Sequence, residues 1–127
     1  MILLDSNILI YSASDNFKYL RALVKKPDAA CSIISKLEVL GYHKITEEQI
    51  KYFEAIFKVI KILPVSEEVI TKAIKYRQKK SMSVGDSIIA SSAKVFGYDL
   101  YTNNVEDFGG IKDFKIINPI KKKTNKG

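Results

Sequence analysis

The chain has 127 residues, 46% of them apolar and 28% charged, with a single cysteine. That composition fits one globular domain able to bury its own core, and it excludes a disordered chain, a disulfide-stapled scaffold and a bundle of membrane helices. The formal net charge of +7 is uneven: residues 61–127 hold thirteen basic against seven acidic groups, four of those lysines in the closing "KKKTNKG", so the rest is only mildly basic and charge alone does not establish a polyanionic partner.

The expected organisation is one domain over residues 1–120 and a basic, flexible tail over 121–127. "MILLD" reads as a short buried strand followed by a turn, and "DNFKYLRALVKK" as a helix with Phe17, Leu20 and Val24 on one side, ended by Pro27. "AACS" is a brief strand, and "SIISKLEVLGY" a helix closed by Gly41. "TEEQIKYFEAIFKVI" is amphipathic, with Ile50, Phe53, Ile56, Phe57 and Ile60 facing inward; "KILPV" is a strand ending at Pro64. "SEEVITKAIKYRQKK" buries Val69, Ala73 and Tyr76, and "VGDSIIASSAKVF" is a helix of small residues stopped by Gly97. "YDLYT" and "FKIINP" are the last two strands. Strands alternate with helices, which predicts an α/β fold, mainly a parallel sheet with helices on both faces. Ligands of such sheets sit outside the carboxyl ends of the strands, where Asp5 is placed.

Asp5 lies between "ILL" and "ILI", Glu38 among Leu37, Val39 and Leu40, and Asp86 just before "SIIAS". Each has a local explanation. Asp5 has the chemistry to cap a following turn, and Ser35–Glu38 and Ser83–Asp86 have capping-box spacing, as does Thr46–Gln49. Asn104 or Asp107 has the chemistry to open a short helix after "YDLYT". Taken together, three carboxylates in apolar surroundings raise their own pKa values and repel one another if they converge, and a divalent cation resolves that conflict. The donors are oxygens and there is no Cys–His cluster, which selects a hard ion such as Mg²⁺ or Mn²⁺. Lone His43 and Cys31 have no partners for metal binding or nucleophilic chemistry.

"LLDSNILIY", "SKLEVLG", "VGDSIIASSA" and "LYTNNVEDF", in this order, resemble the PIN-domain ribonucleases, and most of all the VapC toxins of toxin–antitoxin pairs, across residues 1–119. The resemblance implies a single PIN-like domain whose acids bind Mg²⁺ or Mn²⁺ and cleave RNA, a homodimer, and a small antitoxin protein as partner. It implies a catalytic set of Asp5, Glu38, Asp86, Asn104 and Asp107. Asp5 and Asp86 would be direct metal ligands, and Glu38 would bind metal through water or take the proton of the nucleophile. Asn104 stands where the family usually carries Asp or Asn, and whether it or Asp107 completes the site stays open, as does the number of metals. Ser6, Asn7 and Thr102 are expected to support the acids.

RNA must be held beside these acids, and two rows of cations are candidates: Lys18, Arg21 and Lys25, and Lys72, Lys75, Arg77 and Lys79, with Lys80 nearby. A solvated helix face is the plainer explanation of such rows. Two other readings remain: a housekeeping RNA-processing PIN nuclease, and a non-catalytic binding module that keeps the fold. With neither a membrane span nor a secretory leader, the expected location is the cytoplasm.

Overall fold

A computed structural model describes residues 1–121; residues 122–127, which include all but the first residue of the expected basic tail, lie outside the described residues. Five parallel strands form one sheet in the order β3-β2-β1-β4-β5: β1 Ile2–Leu4, β2 Ala29–Ser32, β3 Lys61–Leu63, β4 Asp99–Tyr101 and β5 Ile116–Ile117. The period-two alternation of strand side chains gives each face its own core. Ile2, Leu4, Ala29 and Cys31 pack on one side with Ile8, Leu9, Leu20, Val39 and Phe53. Leu3, Ala30, Leu63 and Leu100 pack on the other with Tyr76, Ile89, Ala90 and Ala93. Among the described residues no helix is long and apolar enough to cross a membrane.

Three helices follow their sequence signals closely: α4 Glu47–Val59, α5 Glu67–Lys79 and α6 Val84–Phe96. Thr46 and Gln49 form the reciprocal capping box that opens α4. Ser66 and Ser83 cap α5 and α6, and Gly97 ends α6 in the left-handed conformation at φ 75°. The earlier helices depart from expectation. In place of a turn after β1, residues Ser6–Ser12 form helix α1, with Asp5 as its cap and Ile8 and Leu9 buried. The expected helix from Asp15 is broken into a 3₁₀ turn, Asp15–Phe17, and a short α2, Leu20–Val24. Ser14 caps the 3₁₀ turn through Asn16 N–H, and Arg21 reaches back to the Ser12 and Ala13 carbonyls. Helix α3, Ile33–Leu40, is capped by Ser32, so the Ser35–Glu38 pair lies inside it and caps nothing. Gly41 ends α3 without a left-handed φ; a Cβ there would strike the Leu37 carbonyl.

The chain steps outward from β1 to β2 to β3, then returns through α5 and α6 to lay β4 on the other side of β1. This reversal puts the switch point of the sheet, the place where ligands of such folds bind, at the carboxyl ends of β1 and β4. Asp5 N–H donates to the Tyr101 carbonyl at 3.0 Å, so the residues following the two strands, Asp5 and Thr102, stand side by side.

Candidate active site

Asp5 is only 4% exposed, and both of its carboxylate oxygens are held. Oδ1 accepts from Ser6 N–H at 2.7 Å as the cap of α1, and Oδ2 accepts from the Thr102 hydroxyl at 2.7 Å. Burial pushes its pKa up to about 6; the Thr102 and Ser6 hydrogen bonds oppose that rise, and the charges of Asp86 and Glu38 add to it. Thr102 is fully buried and also accepts from Asn104 N–H at 3.0 Å and from the Asn7 amide at 3.5 Å. Thr102 therefore fastens the end of β1 to the segment after β4. Asn7 supports Asp5 through Thr102 and not directly; its side-chain Oδ1 accepts from Asn103 N–H at 3.4 Å.

Ser6 links the next acid. Its hydroxyl hydrogen-bonds Glu38 Oε1 at 2.7 Å and the buried Ser35 hydroxyl at 2.8 Å, so the first turn of α1 fixes a carboxylate on α3. Glu38 is itself exposed and lies against the start of α6: a Cβ on Gly85 would come within 2.6 Å of Glu38 Oε2. The glycine leaves the space that the carboxylate occupies. Next to it, Asp86 donates its N–H to Ser83 Oγ at 3.1 Å. Its pKa is raised, first by burial, then by the charge of Asp107, with Glu38 adding a smaller push; Ser83 and the Lys80 ammonium oppose the rise. Capping and clustering coexist here: Asp86 belongs to a capped first turn and still shares the field of three other acids.

Asn104 and Asp107 differ in what they bring. Both belong to the turn around the 3₁₀ segment Val105–Phe108, and Asp107 N–H donates to the Asn104 carbonyl at 3.0 Å. Asn104 engages Thr102 through its backbone, with its side chain exposed and without a capping bond, whereas the Asp107 carboxylate is felt by Asp86. The turn is tied down by Lys80, whose ammonium donates to the Gly109 carbonyl at 2.6 Å and the Glu106 carbonyl at 3.1 Å. From sequence, Gly85 is not singled out, Ser35 is taken only as a capping partner of Glu38, and Lys80 only as a neighbour of a basic row, whereas Ser35 is buried against the Ser6 hydroxyl. A glycine in the first turn of a helix, beside an acid, was the available signal for Gly85.

The carboxylates share one field without closing on one point: among the described residues no group of three or more carboxylates, imidazoles or thiolates forms a ready metal cage. The donor chemistry nevertheless fits a hard divalent cation. All donors are oxygens, and Asp5 and Asp86 carry raised pKa values in which the neighbouring acids have a part. Cys31 is buried in the core, its thiol pushed up to about 12 by burial, and His43 is exposed beside Tyr42.

The basic rows separate. Lys18, Arg21 and Lys25 do not share a helix, and Arg21 is engaged by the Ser12 and Ala13 carbonyls and by Asp15 at 3.4 Å. On α5, Arg77 turns to the Met82 carbonyl at 3.2 Å and Lys72 pairs with Asp113 at 3.4 Å, while Lys75 and Lys79 stay exposed.

The chain matches the PIN domain model over residues 2–108. It is 34% identical over 122 residues to Ribonuclease VapC1 of Methanocaldococcus jannaschii, a span of 91% of this chain and 84% of that protein. In three dimensions it resembles a toxin–antitoxin complex chain from Klebsiella pneumoniae, with a TM-score of 0.78, 24% identity, and 96% and 100% of the two chains covered. It also resembles a chain of VapBC-1 from nontypeable Haemophilus influenzae, with a TM-score of 0.73, 25% identity, and 93% and 98% covered. On the match of most of its length to the family model, with the parallel sheet and acid-lined strand ends that the resemblance implied, this chain belongs to the PIN-domain family.

Proposed function

We propose that this chain is a divalent-metal-dependent endoribonuclease acting in the cytoplasm, the toxin of a toxin–antitoxin pair. The observation that carries the reading is Asp5. It is a carboxylate buried where β1 and β4 end, hydrogen-bonded on both oxygens, and pressed by the charges of Asp86 and Glu38. Membership of the PIN family and the 34% identity to a ribonuclease support the activity, and the likeness to chains from toxin–antitoxin complexes supports a small antitoxin protein as partner.

In this reading Asp5 and Asp86 hold Mg²⁺ or Mn²⁺, with Glu38 and Asp107 completing the acid cluster. The ion supplies two things when bound: a lower pKa for the attacking water and positive charge against the phosphodiester. The protein does the rest. Thr102 and the Ser6 amide fix the Asp5 carboxylate in one orientation. Ser6 engages Glu38 Oε1, which leaves Oε2 to accept the proton of the attacking water. Pre-set donors and acceptors of this kind need no rearrangement as charge develops at phosphorus.

The test is cleavage of a panel of structured RNAs by the purified full-length chain, with Mg²⁺ or Mn²⁺ and with chelator. Cleavage that requires the ion and is lost in Asp5→Asn is expected. A folded Asp5→Asn protein that cleaves at the wild-type rate would sink the assignment. Growth arrest on expression, relieved by a co-expressed small antitoxin, is the expected cellular outcome.

A further inference from the structure

Beside the acid cluster, α5 and the segment after the second 3₁₀ turn enclose a separate cavity of about 510 Å³. Five lysines line it, Lys72, Lys75, Lys79, Lys80 and Lys112, against one carboxylate, Asp113. That carboxylate is already engaged. It accepts from the Tyr76 hydroxyl at 2.7 Å and pairs with Lys72 at 3.4 Å, and the Tyr76 hydrogen bond is the main reason its pKa is lowered. Among the described residues Lys75, Lys79 and Lys112 have no carboxylate within 4.0 Å. Three uncompensated ammonium groups on one concave wall repel each other and hold a local positive potential that an anion relieves.

The shape suits a chain of phosphates. Lys72, Lys75 and Lys79 recur at helical spacing along one face of α5, and Gly109 and Gly110 form a wall without side chains, Gly110 turning the chain at φ 86°. Tyr76 is the cavity's aromatic ring, but its hydroxyl is tied to Asp113 and Lys72 lies 4.9 Å from the ring centre, so it is not free to stack a base. What the cavity presents is point charge without base-reading groups, which matches a sugar–phosphate backbone. Lys80 joins the cavity to the acids: it lines the wall, donates to the Gly109 carbonyl, and its charge is felt at Asp86.

We propose that this lysine-lined cavity is a backbone-phosphate subsite, which takes phosphates of the RNA strand adjoining the one presented to the acid cluster. The inference rests on the ribonuclease reading for the identity of the strand. The subsite gives the site a polarity: the strand leaves the acids along α5, and the potential of the lysines offsets the repulsion that the carboxylates exert on phosphate.

The test is binding of a short, unstructured, fluorescently labelled RNA to the full-length Asp5→Asn protein, followed by anisotropy across a salt series. Two triple variants in that background are compared, Lys75→Ala/Lys79→Ala/Lys112→Ala in the cavity and Lys44→Ala/Lys51→Ala/Lys58→Ala at exposed positions in and before α4. They remove the same charge. The cavity variant is expected to bind about tenfold or more weakly and to lose about 2 from the slope of log affinity against log salt, the amount due to three phosphate contacts on a single strand. The α4 variant is expected to keep the parent slope. Equal losses in both variants, no loss in either, or no RNA binding by the parent would overturn the subsite. If circular dichroism shows the cavity triple unfolded, Lys79→Glu alone repeats the comparison against Lys58→Glu. Metal-dependent cleavage by the wild-type chain, measured in parallel, separates the two readings. A cavity-specific slope without any cleavage overturns the ribonuclease and leaves the subsite, and cleavage with equal slopes does the reverse.

Discussion

Asp5 accepts two hydrogen bonds of 2.7 Å, yet burial outweighs them and pushes its pKa up from 3.8 to about 6. A folded state that binds the proton more tightly than the unfolded chain loses stability as pH rises between those two values. The Asp5 contribution is therefore full below pH 3.8 and gone above about pH 6, a loss of about 3 kcal/mol by neutral pH. Asp86 acts in the same direction, because its pKa is raised as well. Thermal melts of the metal-free protein from pH 4 to 7 should show Asp5→Asn gaining on the wild type as pH rises, and Mn²⁺ should raise the wild-type Tm more than that of Asp5→Asn. Parallel pH profiles for the two proteins would contradict this account of the burial. Gly85 offers a test of position without charge. In Gly85→Ala the new Cβ meets Glu38 Oε2, the far end of a flexible side chain, so stability should change by no more than about 1 kcal/mol while Glu38 moves. RNA cleavage is expected to fall, by up to about 100-fold, with Tm nearly constant. Unchanged cleavage would show that the Glu38 carboxylate has no fixed place in the reaction.

Among the elements, the second 3₁₀ turn depends on a side chain from elsewhere. Lys80, just past α5, holds the Glu106 and Gly109 carbonyls and so the turn that carries Asp107. Hydrogen bonds from a charged donor are worth about 1.5–3 kcal/mol each, so Lys80→Met should open this turn locally before the protein unfolds globally. Hydrogen exchange at Asp107 and Gly109 N–H is the readout; protection equal to wild type would mean that the turn holds itself. The long helices were legible because thirteen residues give three turns of apolar period plus a cap, as at Thr46–Gln49 and Ser83. Helix α1 was not. Its apolar run spans less than two turns, too short to carry a period, and what makes it a helix is the Asp5 cap and the sheet beneath Ile8 and Leu9. The spacing of Ser35 and Glu38 misled for the opposite reason: Ser32, three residues earlier, takes the cap, and Ser35 is buried against Ser6.

At the scale of the whole molecule, the site is a product of strand order. Placing β4 beside β1 sets Thr102 against Asp5 across 97 residues of sequence, and the α3 and α6 faces then bring Glu38 and Gly85 together. Alternating strands and helices made the parallel sheet and the edge that holds Asp5 legible beforehand. The register between β1 and β4 has no local signature, so the buried role of Thr102 came only from the family resemblance. The division of work between Asn104 and Asp107 stays open even with that resemblance, because it depends on how the turn after β4 sits against Asp86. The central claim is that these acids, brought from four segments of the chain, serve one hard cation. Anomalous diffraction from crystals of the full-length protein soaked in Mn²⁺ tests it most directly. A manganese peak in contact with the Asp5 carboxylate and within the ring of Asp86, Glu38 and Asp107 is the predicted result. Saturating Mn²⁺ with no peak at Asp5, or with its peaks elsewhere on the surface, would contradict it.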